Sequence, residues 1–132
     1  MKNSLMLFIF FLAFSCRAIT DDCNPNYYCN SFAYQYGWLN VELTISNNTP
    51  TLIRLYAGYV EDNELLTELY TIESSYSFYL SVGNRYSVEV YYQNGSQTTI
   101  ALDGGRLRQE SRTNCGETCY EEPSLNLNLR KL

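Results

Sequence analysis

The sequence contains no histidine. That absence removes the base from Ser-His-Asp and Cys-His nucleophile systems. It also removes a common ligand of zinc sites. Lysine is nearly as scarce, with Lys2 and Lys131 alone, and a residue next to the terminus is a poor place for the positioned base of a Ser-Lys dyad. Lys and Arg together number 9 against 14 Asp and Glu, for a formal net charge of -5. The basic surface that nucleic-acid binding needs is therefore missing, and so is electrostatic attraction to anionic lipid. Phosphate-cradling glycine loops are missing too, since Asp103-Gly104-Gly105 lacks the pattern that should follow it. The longest apolar run, Leu5 to Phe14, is about half of the ~20 residues that span a bilayer as a helix. These absences point away from an enzyme, a cofactor or metal, a nucleic-acid partner and a transmembrane helix.

What the chain has in quantity is aromatic residues, with 13 tyrosines, 6 phenylalanines and 1 tryptophan. Such side chains favour the pleated, half-buried surface of a strand. The alternation agrees. Leu39, Val41, Leu43 and Ile45 point one way in a strand from Trp38 to Ile45, with Asn40, Glu42 and Thr44 on the other face. Turn residues at Ser46 to Pro50 lead to a second strand, Thr51 to Ala57. An acidic turn over Glu61 to Glu64 leads to a third, Leu65 to Ile72, where a short helix is the alternative. Tyr76 to Val82 and Tyr86 to Tyr92 alternate on either side of Gly83-Asn84. Asn94-Gly95 is a hairpin signal of the type I′ kind, Thr98 to Leu102 is the return strand, and Asp103-Gly104-Gly105 ends it. Leu107 to Arg112 is ambiguous, and Leu125, Leu127 and Leu129 mark a terminal strand. The expectation is all-β: a single β-sandwich of seven or eight antiparallel strands.

The amino end reads as an export signal. Lys2, the apolar run and Ser15-Cys16 follow the order of a secretory signal peptide. Five cysteines form an odd set, but without Cys16 the even set Cys23, Cys29, Cys115 and Cys119 remains, suited to two disulfides in an oxidising compartment. Three connectivities exist. Local pairing, Cys23 with Cys29 and Cys115 with Cys119, is favoured because Gly116 suits a tight turn. Crossed pairing would clamp the two ends together.

Two resemblances sharpen this reading. Leu12-Ala13-Phe14-Ser15-Cys16 resembles the lipobox of bacterial lipoproteins, in a loose form similar to that of Bacteroidota, although Ala13 stands where leucine is usual. Cys115-Gly116-Glu117-Thr118-Cys119-Tyr120 and the alternating end also resemble small lipoproteins of that group. The resemblance implies acylation of Cys16 and anchoring at the outer membrane. The alternative is cleavage after Ala18 and a secreted, soluble protein. The segments are then 1–15 as signal peptide, 16–30 as tether with the first cysteine pair, and 31–132 as the sandwich. Leu80 to Val90, with Gly83 before Tyr86-Ser87-Val88-Glu89-Val90, resembles the E–F corner of fibronectin type III and other immunoglobulin-like domains. There, the hydroxyl corresponding to Tyr86 bonds back to the chain upstream.

For function, Tyr59, Tyr79 and Tyr91 are the candidate contacts to a protein or glycan ligand, because exposed tyrosine is rigid and its hydroxyl adaptable. Glu61, Asp62 and Glu64 are a weaker candidate, as paired carboxylates or calcium ligands, against the plainer reading of a solvated turn. Leu125 to Leu129 is the candidate for strand addition to a partner. The leading expectation is a lipid-anchored, non-catalytic binding or assembly accessory.

Overall fold

The computed structural model describes residues 23–132. The export segment, Cys16 and the alternative cleavage site at Ala18 lie outside the described residues. After an irregular leader over 23–35, nine strands follow: β1 (Tyr36–Glu42), β2 (Thr51–Ala57), β3 (Leu65–Thr71), β4 (Ser75–Ser81), β5 (Arg85–Asn94), β6 (Gln97–Arg106), β7 (Glu110–Asn114), β8 (Glu117–Glu121) and β9 (Ser124–Asn128). The expected all-β sandwich is what forms. One sheet runs β4-β1-β9, the facing sheet runs β3-β2-β5-β6, and β7-β8 is a separate hairpin.

The alternating positions bury one face of each sheet. Leu39, Val41, Phe78 and Leu127 meet Ile53, Leu55, Val88 and Val90 in a single core, closed by Tyr86, Tyr92, Leu107 and Leu129. The two tyrosines of this core find partners for their hydroxyls, as burial demands. Tyr86 Oη donates to the Ser81 carbonyl at 2.8 Å, so the hydroxyl does bond back across the β4–β5 corner. Tyr92 Oη donates to the Leu129 carbonyl at 2.7 Å, tying down the carboxyl end.

The two facing sheets together hold seven strands, within the expected seven or eight, and the ambiguous Leu107 to Arg112 leads into the separate β7-β8 hairpin. Four expectations are corrected. First, one pair is parallel: β9 runs beside β1 in the same direction, with Leu39 opposite Leu125. Second, β6 does not stop at Asp103 but runs through Gly104 and Gly105, which pair with Ser87 and Tyr86. A Cβ on Gly104 would lie 2.7 Å from the Tyr86 carbonyl, so the glycine permits close approach rather than ending the strand. Third, the β5-β6 turn is centred one residue later, on Gly95-Ser96, with Gly95 at φ 63°.

Fourth, the disulfides are the crossed pair, Cys23–Cys115 and Cys29–Cys119, at sequence separations of 92 and 90. The local pairing is overturned by the hairpin itself. Cys115 (φ 52°) and Gly116 (φ 80°) are the two central turn residues between Asn114 and Glu117. This is the positive-φ arrangement of a type I′ turn. Strand β8 then carries Cys119 away from Cys115, and each cysteine meets a different point of the leader. Hydrogen bonds support the same clamp: Asn24 N donates to Asn114 Oδ1 at 2.9 Å, and Tyr120 N donates to the Asn30 carbonyl at 2.8 Å. Leader and hairpin are thus one lobe, from which β1 and β9 both depart. Strands leaving one lobe run in one direction, which accounts for the parallel pair.

Candidate functional site

The outward face of β4-β1-β9 is not a uniformly charged sheet surface. Outward positions on β1 are Tyr36, Trp38, Asn40 and Glu42, opposite Ser81, Tyr79, Ser77 and Ser75 of β4. On the other flank Ser124, Asn126 and Asn128 of β9 pair with Trp38, Asn40 and Glu42. The aromatic residues gather at the lobe end. The Trp38 and Tyr79 rings have centroids 4.7 Å apart, and Tyr36 stacks on Tyr79 at 5.7 Å. All three are exposed: Tyr36 49%, Trp38 40% and Tyr79 52%. Trp38 Nε1 donates to Glu122 Oε1 at 3.1 Å, which sets the indole orientation.

About 7 Å further along the strands, two residues at the usual rise, the surface changes from aromatic to amide. Ser77 Oγ donates to Asn40 Oδ1 at 2.7 Å, and Asn40 Nδ2 donates to Asn126 Oδ1 at 2.9 Å. Beyond them Arg130 and Glu42 close the face with an ion pair at 3.0 Å. The result is a platform with clustered rings at one end, Tyr36 stacked on Tyr79 and Trp38 tilted 47° against it, and a row of neutral hydrogen-bonding groups beside them.

Tyr36 and Tyr79 also line an open groove of about 610 Å³ between the edge strands β3 and β4. Leu66 of β3 and Glu64 just before it form one wall, and Ser81, Asn84 and Arg85 form the corner. The Arg85 guanidinium lies over the Tyr59 ring, 4.2 Å from its centroid. That volume is in the range of small-ligand clefts.

Of the three candidate tyrosines, two belong to this region. Tyr79 lies in the stack and the groove, and Tyr59 touches the groove through Arg85. Tyr91 lies elsewhere, on the outward face of the facing sheet. There Arg54 Nη1 donates to Tyr91 Oη at 3.0 Å, while Tyr91 Oη and Tyr56 Oη donate to Glu89 Oε2 at 2.8 and 2.9 Å. Burial, and then the bond to Glu89, raises both tyrosines above their ordinary pKa. Arg54 is ion-paired with Glu68, and that hydrogen bond is the first cause of its raised pKa. Tyr91 is therefore tied into a sheet-surface network, separate from the platform.

The acidic turn also divides. Asp62 Oδ2 accepts from the Tyr59 backbone N–H at 2.9 Å, which stabilises the short 3₁₀ turn over Val60–Asp62. Of the three carboxylates, Glu64 lines the groove. Among the described residues, no group of three His, Cys, Asp or Glu side chains is placed to hold a metal ion.

Sequence reasoning missed Tyr36, Trp38 and Arg85. Trp38 and Tyr36 share strand parity with Asn40 and Glu42, which already faced outward in that reading, so extending the alternation by two positions would have found them. Arg85 carried no signal, because its importance comes from the groove that strands distant in sequence build around it. Comparison with protein-family models, with curated proteins and with solved structures found no match.

Proposed function

We propose that this chain is a non-catalytic glycan-binding module, displayed outside the cytoplasm and held at the outer membrane by an acylated Cys16. The observation that carries the reading is the exposed Tyr36–Trp38–Tyr79 cluster lying in register with the Asn40–Asn126–Ser77 amide row. A sugar ring has an apolar face of C–H groups and an equatorial rim of hydroxyls. Aromatic faces suit the first, and amide and hydroxyl groups that both donate and accept suit the second. Neutral groups hydrogen-bond without the desolvation cost of charges. An edge-sharing groove would let an extended chain continue past the rings.

Export and anchoring rest on the amino-terminal pattern together with two disulfides, which persist in oxidising compartments. Mass spectrometry of the mature amino terminus checks this part: an acylated Cys16 is expected, and an unmodified start at Ile19 would make the protein a soluble secreted one.

The binding reading is tested by affinity electrophoresis through gels containing neutral polysaccharides. Retardation by at least one of them is expected, and Trp38→Ala with Tyr79→Ala should abolish it. Mobility unchanged by every polysaccharide, or retardation equal in the double variant, would overturn the reading.

A second reading is favoured by one observation. Strand β9 pairs with β1 on one side, and no strand pairs with its other side among the described residues. That edge suits acceptance of a partner's strand. Sedimentation showing a dimer that Leu125→Pro disrupts would support it.

A further inference from the structure

The groove beside the platform contains an incomplete cation. Arg85 Nε is buried and has no hydrogen-bond partner. None of the ion pairs among the described residues includes Arg85. The stacked contact with Tyr59 steadies the guanidinium and leaves its charge unpaired. A buried donor without a partner is uncommon in folded proteins, and it asks for an acceptor. The acceptor that fits a guanidinium best is a carboxylate, which takes two parallel N–H bonds from the planar fork.

The walls restrict what carries that carboxylate. Tyr36, Tyr79 and Leu66 are uncharged and offer aromatic and aliphatic surface, and Asn84 and Ser81 are neutral and joined by a hydrogen bond of 3.0 Å. Glu64 on the opposite wall repels a second acid and accepts from hydroxyls. The chain as a whole has net charge -5, which disfavours a polyanion. One acidic group within an otherwise neutral, hydroxyl-rich ligand meets all of these conditions.

Resting on the glycan reading above, we propose that the groove selects a uronate residue, with its carboxylate on Arg85 and its ring directed toward Tyr36 and Tyr79. Neighbouring neutral sugars then lie along Trp38 and the amide row. Arg85 is the specificity determinant and the aromatic cluster the general platform.

The test is nuclear magnetic resonance of the oxidised protein, following the Arg85 Nε–Hε and Trp38 Nε1–Hε1 signals separately. Probes are sodium glucuronate, glucose, N-acetylalanine, and matched oligosaccharides with and without one glucuronate. Glucuronate is expected to shift the Arg85 signal while glucose at the same concentration does not. The glucuronate oligosaccharide should bind about tenfold tighter than its neutral match, and Arg85→Gln should reduce that advantage to none. Arg85→Gln changes a half-buried side chain outside the core, and an unchanged unfolding midpoint would confirm that the variant is folded. An Arg85 signal that ignores glucuronate while Trp38 responds to both oligosaccharides would sink this proposal and leave the platform intact. The converse, Arg85 responding to glucuronate while Trp38 ignores every oligosaccharide, would keep the carboxylate site and sink the platform. N-acetylalanine binding as tightly as glucuronate would reassign the groove to peptide carboxyl ends and overturn the sugar assignment.

Discussion

Trp38 and Tyr79 face each other across the β1–β4 ladder with ring centroids 4.7 Å apart, and both remain exposed. Cross-strand aromatic pairs do stabilise sheets, by about 0.2–1 kcal/mol. That small gain is available to many side-chain pairs. It does not explain why the outward face groups three exposed rings and then changes abruptly to asparagine and serine. The ligand proposed above, with one apolar face and a polar rim, would account for it.

The corner hydroxyl of Tyr86 gives the first prediction. It donates to the Ser81 carbonyl and lies 2.9 Å from Ser81 Oγ. Tyr86→Phe keeps the ring in the core and removes the donor to the Ser81 carbonyl, while Ser81 Oγ keeps its bond from Asn84 Nδ2. A loss of about 1–2 kcal/mol is expected, read as a lower urea midpoint with unchanged slope.

The crossed disulfides give the second. Peptide mapping under non-reducing conditions should recover Cys23 joined to Cys115 and Cys29 joined to Cys119. In the chain-entropy model, a loop of roughly ninety residues contributes about 5 kcal/mol, and the second bond adds less because the first already joins the ends. Replacing Cys29 and Cys119 together by serine should therefore cost less than removing all four cysteines, measured by thermal unfolding.

Tyrosine ionisation gives the third. Tyr92 is raised above its ordinary value of about 10 chiefly by burial, and Tyr56 and Tyr91 are raised by burial and the bond to Glu89. A raised folded-state pKa means that the stabilisation is complete below about pH 10 and is lost as pH rises through the folded value. Absorbance at 295 nm should show a late-titrating class of tyrosines. Tyr92→Phe should shrink that class and lessen the fall in stability above pH 10, with no change in pH dependence near neutrality.

Gly104 gives the fourth. A Cβ there would sit 2.7 Å from the Tyr86 carbonyl and 2.8 Å from Ser87 Oγ. The first neighbour is backbone and cannot turn aside, so Gly104→Ala must displace the β5-β6 ladder. A cost of about 1–3 kcal/mol is expected, with amide exchange accelerated along β6. Gly95→Ala, where no atom lies within 4 Å, provides the contrast of backbone strain without a clash.

Most of the sandwich was legible because strand parity is a local property. Leu39 and Val41, Val88 and Val90, and Leu127 all bury as the alternation requires. The β7-β8 hairpin was hidden because its strands are polar and mostly exposed, stabilised by the disulfides and the leader rather than by the core. The pairing of β9 with β1 was hidden for a related reason: direction depends on where the lobe releases each strand, and no short segment encodes that. At the site, Tyr79 was found from its own exposure pattern. Arg85 and Glu64 come together because Ala57 N and Gly58 N, at the end of β2, donate to the Glu64 and Arg85 carbonyls, and that strand order has no periodic trace.

The most direct measurement uses the fact that Trp38 is the single tryptophan of the chain. Its emission reports the platform without any label. Titration with neutral and uronate-bearing oligosaccharides should shift and enhance the emission in a saturable way. Tyr79→Ala should weaken the midpoint by about tenfold, or about 1.4 kcal/mol. Emission that stays constant to saturating sugar, in a protein shown to be folded and oxidised, would contradict the account at its centre.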